Sequence, residues 1–202
     1  MSGIIAQNTG RHTGLIKGAS SEGIWNLIKT YTASSSADIT FVDGTDDVDF
    51  SAYSLFIFKF INIHPQTDTA VFHVNFRDGG SAYDALKTTH YFRAYHSEAD
   101  ATSLARKDDQ DVGNGTGVQH LGYSLNGDAD SSLSGDLKIE NPSSTTYGKN
   151  FYGRTVFMHS APEVHDSFIG GYLNVTAAID GVQFAMSTGN IDSGTISLFG
   201  IT

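Results

Sequence analysis

The sequence contains no cysteine and few basic residues. Without cysteine, neither disulfide bonds nor thiolate zinc sites can hold the fold together. Twelve lysines and arginines stand against 22 aspartates and glutamates, which gives a formal net charge of −10. Because affinity for nucleic acid comes mainly from basic side chains that neutralise phosphates, this balance predicts no nucleic-acid partner. The same negative charge opposes binding to anionic membranes.

Long hydrophobic runs are also missing. The most apolar segment, 55–63, is interrupted by Lys59 and Asn62 and is too short to cross a bilayer as a helix. Residues 1–23 lack the unbroken apolar stretch of a secretory signal peptide, because glycine and polar residues interrupt every run. We therefore expect a protein that is made in the cytoplasm and does not enter a membrane.

Short apolar segments alternate with turn residues along most of the chain. The sequence has 22 glycines, and many Ser, Thr, Asn and Asp residues separate segments of strand length. This spacing predicts an antiparallel β-sandwich or barrel over residues 24–202, as a single domain. The predicted strands are 25–33, 38–42, 53–63, 70–77, 88–96, 117–124, 133–140, 148–158, 167–173, 181–186 and 194–200. One short helix is predicted over 99–109.

Two strands show informative side-chain patterns. Segment 133–140 alternates apolar and polar residues, as a strand with one wet face does. Segment 55–63 is apolar on both faces, which predicts a central strand or a strand whose second face meets another subunit. Turns are predicted at Asp43-Gly44, Asp78-Gly79-Gly80, Asn126-Gly127 and Asp180-Gly181, where positive φ is accepted at low cost.

The first 23 residues differ in composition from the rest. They are rich in Gly, Ser, Thr and Asn, a composition that predicts an extended arm before the β-domain. Two docking sites are open at this point: a neighbouring chain, or a sheet edge of the same subunit. The residues that we expect to make the contacts are two apolar pairs and two basic side chains: Ile4, Ile5, Leu15, Ile16, Arg11 and Lys17.

Metal and catalytic motifs are incomplete. Segment 126–130 begins like a calcium loop, but Ser131 replaces the required glycine and Leu137 the closing carboxylate. A solvated acidic turn is the favoured interpretation there and at 43–49. His90 and His96 fall on one strand face, about 20 Å apart, which is too far for a shared metal ion.

No nucleophile motif is present either. The chain has no Gly-x-Ser-x-Gly elbow, and the glycine-rich segment 113–117 lacks the Lys-Ser/Thr of a phosphate loop. Carboxylates for glycoside hydrolysis are available at Glu22, Glu98, Glu140 and Glu163, but sequence does not give their separation. The sequence therefore predicts no enzyme, with no catalytic residue, no cofactor and no metal.

Several segments together resemble a family of structural proteins encoded by marine tailed bacteriophages of the cyanophage type. They are 1–11 (MSGIIAQNTGR), 92–96 (FRAYH) with Glu98 and Asp100, 141–147 (NPSSTTY), 171–172 (GY), 183–187 (QFAMS) with 189–190 (GN), and 193–201 (SGTISLFGI). The resemblance implies a component of the virion surface, as a head decoration protein or a tail appendage. Together with the strand pattern it predicts a jelly-roll-like sandwich.

The expected function is that of a non-enzymatic virion structural protein, most simply a capsid decoration or cement subunit on a phage head. Expected partners are further copies of the chain, with a homotrimer favoured by analogy, and other virion proteins such as the major capsid protein. The alternative is a tail-fibre module that binds a receptor or carbohydrate. A glycan-degrading enzyme is a third class, which would need two facing carboxylates in a cleft.

Overall fold

The computed structural model describes residues 23–202, so the six arm residues Ile4, Ile5, Arg11, Leu15, Ile16 and Lys17 lie outside the described part. The described chain forms twelve strands and one 3-10 turn, η1, over Asp108–Gln110. The strands are β1 (Trp25–Thr32), β2 (Asp38–Val42), β3 (Leu55–Pro65), β4 (Ala70–Arg77), β5 (Lys87–Ser97), β6 (Thr102–Arg106), β7 (Gln119–Leu125), β8 (Leu133–Glu140), β9 (Lys149–His159), β10 (Glu163–Leu173), β11 (Gly181–Met186) and β12 (Ile191–Ile201).

The strand order is that of a jelly roll. One sheet contains β1-β12-β3-β8 and the other β2-β11-β4-β7, with every pair antiparallel. Eight strands that alternate between two sheets in this order form two Greek keys. The predicted all-β, jelly-roll-like antiparallel sandwich is confirmed.

Four further strands extend the first sheet. Beyond β8 the order continues β9-β10-β5-β6, so two inserted hairpins widen this sheet by four strands. The two sheets are joined at their corners by the pair Leu125 and His159, and by a bridge between Ser36 and Ile191. The inward-facing side chains of these strands, such as Tyr91 of β5 and Ser167 of β10, are buried.

Aromatic side chains fill the space between the sheets. Phe184 of β11 lies 5.2 Å from the rings of both Phe58 and Phe60 on β3, measured between ring centroids. Phe41 and Phe72 also contact Phe184, and all five rings are fully buried. Burial of each such side chain contributes about 1.5–3 kcal/mol. The alternating apolar residues of the sequence thus meet in one core.

Strand β3 is central, as its doubly apolar sequence predicts. It pairs with β12 on one side and β8 on the other. Phe56 and Phe58 face the core, whereas Ile57 points to the opposite face and is still only 2% exposed. Farther along this second face, Ile61 is 48% exposed.

The glycine turns divide into two kinds. Gly44, Gly79 and Gly80 have positive φ, as their sequence context predicts. Gly127 does not: a Cβ there would lie 3.0 Å from the backbone of Asp68, so this position needs glycine for close packing. Gly181 begins β11 and does not have positive φ, so the predicted positive-φ turn at Asp180-Gly181 is wrong.

The predicted helix over 99–109 is wrong. This segment forms strand β6, which pairs with β5, followed by the short turn η1. Thr102, Leu104 and Arg106 are exposed and alternate with half-buried residues, as a strand requires. Pairing with a neighbouring strand outweighs the weak local helix signal. Within residues 23–202, no helix is long and apolar enough to span a membrane.

Candidate functional site

The inserted hairpin β9–β10 carries an open groove at its turn. The groove has a volume of about 1020 Å³. Val156 and Met158 of β9 and Val164 of β10 line it with apolar side chains, each 41–50% exposed. The three are neighbours because Met158 pairs with Val164 and Val156 lies two residues earlier on the same strand face.

Carboxylates surround this apolar strip on two sides. Glu98 and Asp100 come from the turn between β5 and β6, and Asp128 and Asp130 come from the loop between β7 and β8. Asp100 lies 3.0 Å from His96, whereas Glu98, Asp128 and Asp130 form no ion pair with another residue of the range 23–202. The groove is therefore negatively charged and suited to a basic ligand.

A hydrogen-bonded cluster lies beside the groove on the inner side of the hairpin. His165 of β10 is fully buried, and its Nε2 lies 2.8 Å from Oε2 of Glu163, two residues earlier on the same strand face. Nη1 of Arg93, from β5, lies 2.9 Å from both Nδ1 and Nε2 of His165. With its proton on Nε2, neutral His165 donates to the Glu163 carboxylate, and Nδ1 is then the ring nitrogen that can accept from Arg93.

His159 completes the cluster. Its ring stacks on that of His165 with centroids 4.3 Å apart. The backbone N–H of Ala161 donates to its Nδ1 at 2.9 Å, which places the proton of the neutral ring on Nε2. This bond also fixes the tight turn that connects β9 to β10.

Both histidines are held neutral. Burial lowers the pKa of His165 to about 4; the hydrogen bond with Glu163 opposes part of this decrease, and the nearby Arg93 guanidinium and His159 add to it. Burial likewise lowers the pKa of His159. At neutral pH the cluster therefore consists of one cation, Arg93, and one anion, Glu163, bridged by a neutral imidazole.

The same residues have the composition of a metal site. Ligand atoms of His159, Glu163 and His165 lie within 4.8 Å of one another, and two histidines with one glutamate suit Zn²⁺. Two contacts oppose this use. Nδ1 of His159 is occupied by the Ala161 N–H, and the Arg93 guanidinium places a positive charge against His165. The arrangement fits a structural network that positions Glu163 at the groove better than it fits a metal centre.

The predicted loop sites use their oxygens to hold turns. Oδ1 of Asp43 accepts the N–H of Phe50 at 2.7 Å, and Oδ1 of Asn126 accepts the N–H of Asp128 at 2.6 Å. Such bonds are typical of solvated acidic turns. His90 and His96 are both exposed on β5. The first stacks on Phe92 and the second pairs with Asp100.

Two of the four glutamates considered for glycoside hydrolysis lie at the same groove. Glu98 and Glu163 both border the groove, whereas Glu140 lies at the far end of β8. A glycosidase acid needs a desolvated carboxyl group. At the groove, the carboxylate of Glu163 is hydrogen-bonded to His165, and those of Glu98, Asp100, Asp128 and Asp130 are exposed to solvent. These carboxyl groups therefore do not match the requirement for a glycosidase acid.

Arg93, His159 and His165 had no clear signal in the sequence. Glu163 and His165 occupy alternate positions, which places both on one strand face, but nothing in the sequence brings β5 beside them. A scan against models of known protein families, a search of curated proteins and a search of solved structures each found no match.

Proposed function

We propose that this chain is a non-enzymatic structural subunit of a virus particle, most simply a decoration subunit on a tailed-phage head. The jelly-roll topology supports the proposal, because this architecture recurs in viral capsid and lectin domains. That likeness is one of fold alone and does not by itself imply a function. The resemblance of the sequence to phage structural proteins points in the same direction.

The observation that carries the proposal is the outer face of the extended sheet. Seven large apolar side chains are exposed on the four inserted strands: Phe92, Leu104, Tyr152, Val156, Met158, Val164 and Tyr172. Leu104, at 73%, is the most exposed of them. The Arg154–Asp166 ion pair lies among them on the same face. Surfaces with many exposed large apolar side chains often mark contact sites.

A face of this kind suits a protein that functions in many copies. Repetition by symmetry lets modest contacts add up, so a decoration subunit needs no single site of high affinity. We propose that the outer face packs against a further copy of the chain, in a homotrimer, and that the assembled subunits sit on the major capsid protein.

Two measurements test this function. Sedimentation velocity on the purified protein should show a trimer, and Val164→Lys combined with Met158→Lys should shift it towards monomer without loss of the β-sheet signal in circular dichroism. Cryo-electron microscopy of particles of the encoding virus should then show the sandwich at repeated positions on the head. A particle that lacks the chain would contradict the proposal.

A glycan-binding tail module is the second candidate. Tyr152 and Tyr172 are each 43% exposed on neighbouring strands and can offer ring faces to a sugar, although the imidazole of His90 fills the space above Gly170. The other outward aromatics fit this role less well. Phe92 and Phe168 stack on each other with centroids 4.9 Å apart, which covers the faces that a sugar would need.

A glycan array distinguishes the two candidates. Specific binding that Tyr172→Ala abolishes would favour the tail module, and an array without specific binding would favour the structural subunit. Leu104→Ala is the matched control, because it removes exposed apolar surface from the same sheet without touching the tyrosines.

A further inference from the structure

The chain divides into two parts of opposite charge. Residues 1–22 contain Arg11 and Lys17 against one acid, Glu22, so their net charge is +1. Removing these from the totals of 12 basic and 22 acidic residues leaves ten basic and 21 acidic residues in the described part, a net charge of −11. The two parts therefore attract each other, within one molecule or between molecules.

The groove at the β9–β10 turn has the chemistry to receive the basic part. Its carboxylates Glu98, Asp128 and Asp130 form no ion pair within the described residues, and Val156 and Val164 offer apolar contacts between them. Residues 1–22 combine basic residues with the apolar pairs Ile4-Ile5 and Leu15-Ile16. An extended peptide of this composition matches a groove that is apolar in the middle and acidic along its sides.

Distance decides whether Lys17 can contact the groove of its own subunit. Gly23 is bonded to Thr202 at the β1–β12 edge. From there the groove on β9 lies four strand spacings across the sheet, about 19 Å, and about 20 Å along the strands, which together make about 28 Å. Lys17 is six residues before Gly23, so its Cα can lie at most about 21 Å away. Within one subunit the backbone of Lys17 cannot reach the groove, whereas Arg11, twelve residues before Gly23, can span about 42 Å and is not limited in this way.

We propose that the acidic groove receives residues 1–22 of a second copy of the chain, so that Arg11 and Lys17 of one subunit meet Glu98, Asp128 and Asp130 of its neighbour. This inference rests on the self-association proposed above and names the surface and the segment involved. Because Lys17 falls short of the groove in its own subunit, placing both basic residues there selects the neighbouring chain from the two docking sites that the sequence left open.

Charge-swap variants of the full-length protein test the contact. Arg11→Glu with Lys17→Glu should weaken self-association about tenfold by sedimentation equilibrium, because attraction becomes repulsion. Asp128→Lys with Asp130→Lys should also weaken self-association about tenfold. A protein that carries all four substitutions should associate as the wild type does. Asp47→Asn with Asp192→Asn is the control, since both acids are exposed outside the groove.

Zero-length carbodiimide cross-linking identifies the donor molecule. In a mixture of ¹⁵N-labelled and unlabelled protein, links from Lys17 to Glu98, Asp128 or Asp130 should join heavy to light chains. Links only between chains of the same isotope, or self-association that the charge swaps do not change, would refute docking of residues 1–22 in the neighbour's groove. Either result would leave the proposed self-association standing. A protein that stays monomeric at high concentration would overturn both.

Discussion

Acidification is the sharpest test of the buried histidine cluster. In the folded protein the pKa of His165 is lowered to about 4, whereas the imidazole of an unfolded chain titrates near its ordinary value of 6.5. Between these two pH values the unfolded state binds more protons than the folded state, so the free energy of unfolding falls as the pH falls. The difference of about 2.5 pKa units corresponds to a loss of about 3 kcal/mol between pH 6.5 and pH 4.

Replacement by glutamine isolates this contribution. The amide of His165→Gln can donate to Glu163 and accept from Arg93 as the neutral imidazole does, but it does not titrate. Other groups face the same space, among them His159, Tyr95 and Tyr123. Their contributions are common to both proteins and cancel in the difference.

Urea unfolding at pH 7, 6, 5 and 4.5 measures the effect. Down to pH 4.5 the wild type should lose about 2.5 kcal/mol more than His165→Gln. His96→Gln, at an exposed position of the same sheet, should follow the wild type. Equal slopes for the wild type and His165→Gln would refute the conclusion that a buried, neutral His165 bridges Arg93 and Glu163.

Two further predictions concern the core and a buried lysine. Phe184→Ala should lower the free energy of unfolding in urea by about 3–5 kcal/mol, because it opens a cavity among four neighbouring rings, whereas Leu104→Ala on the surface should cost under 1 kcal/mol. Lys87 is fully buried and burial lowers its pKa to about 8 from 10.5, so stability should rise with pH between these values. Lys87→Met should lack that rise in urea titrations; a rise of the same size in this variant would assign it to other groups.

The sequence alone was enough for the type of fold. Alternation in segments such as 133–140, and glycine-rich turns such as 78–80, are local signals because side-chain direction and positive φ depend on a few adjacent residues. The double apolar character of 55–63 likewise predicted a central strand or one whose second face meets another subunit, and the strand does pair on both sides. Eleven of the twelve strands follow from such patterns.

Tertiary structure decided what the sequence left open. Segment 102–106 became a strand only because β5 offered a pairing edge, a fact that no local pattern contains. The groove and the cluster of Arg93, His159, Glu163 and His165 join residues from strands that are distant in the chain. Whether two such residues meet depends on strand order and register, since a shift of one residue would turn every side chain to the other face. The sequence therefore determined which residues are buried within a strand, and only the assembled sheets decided which of them meet.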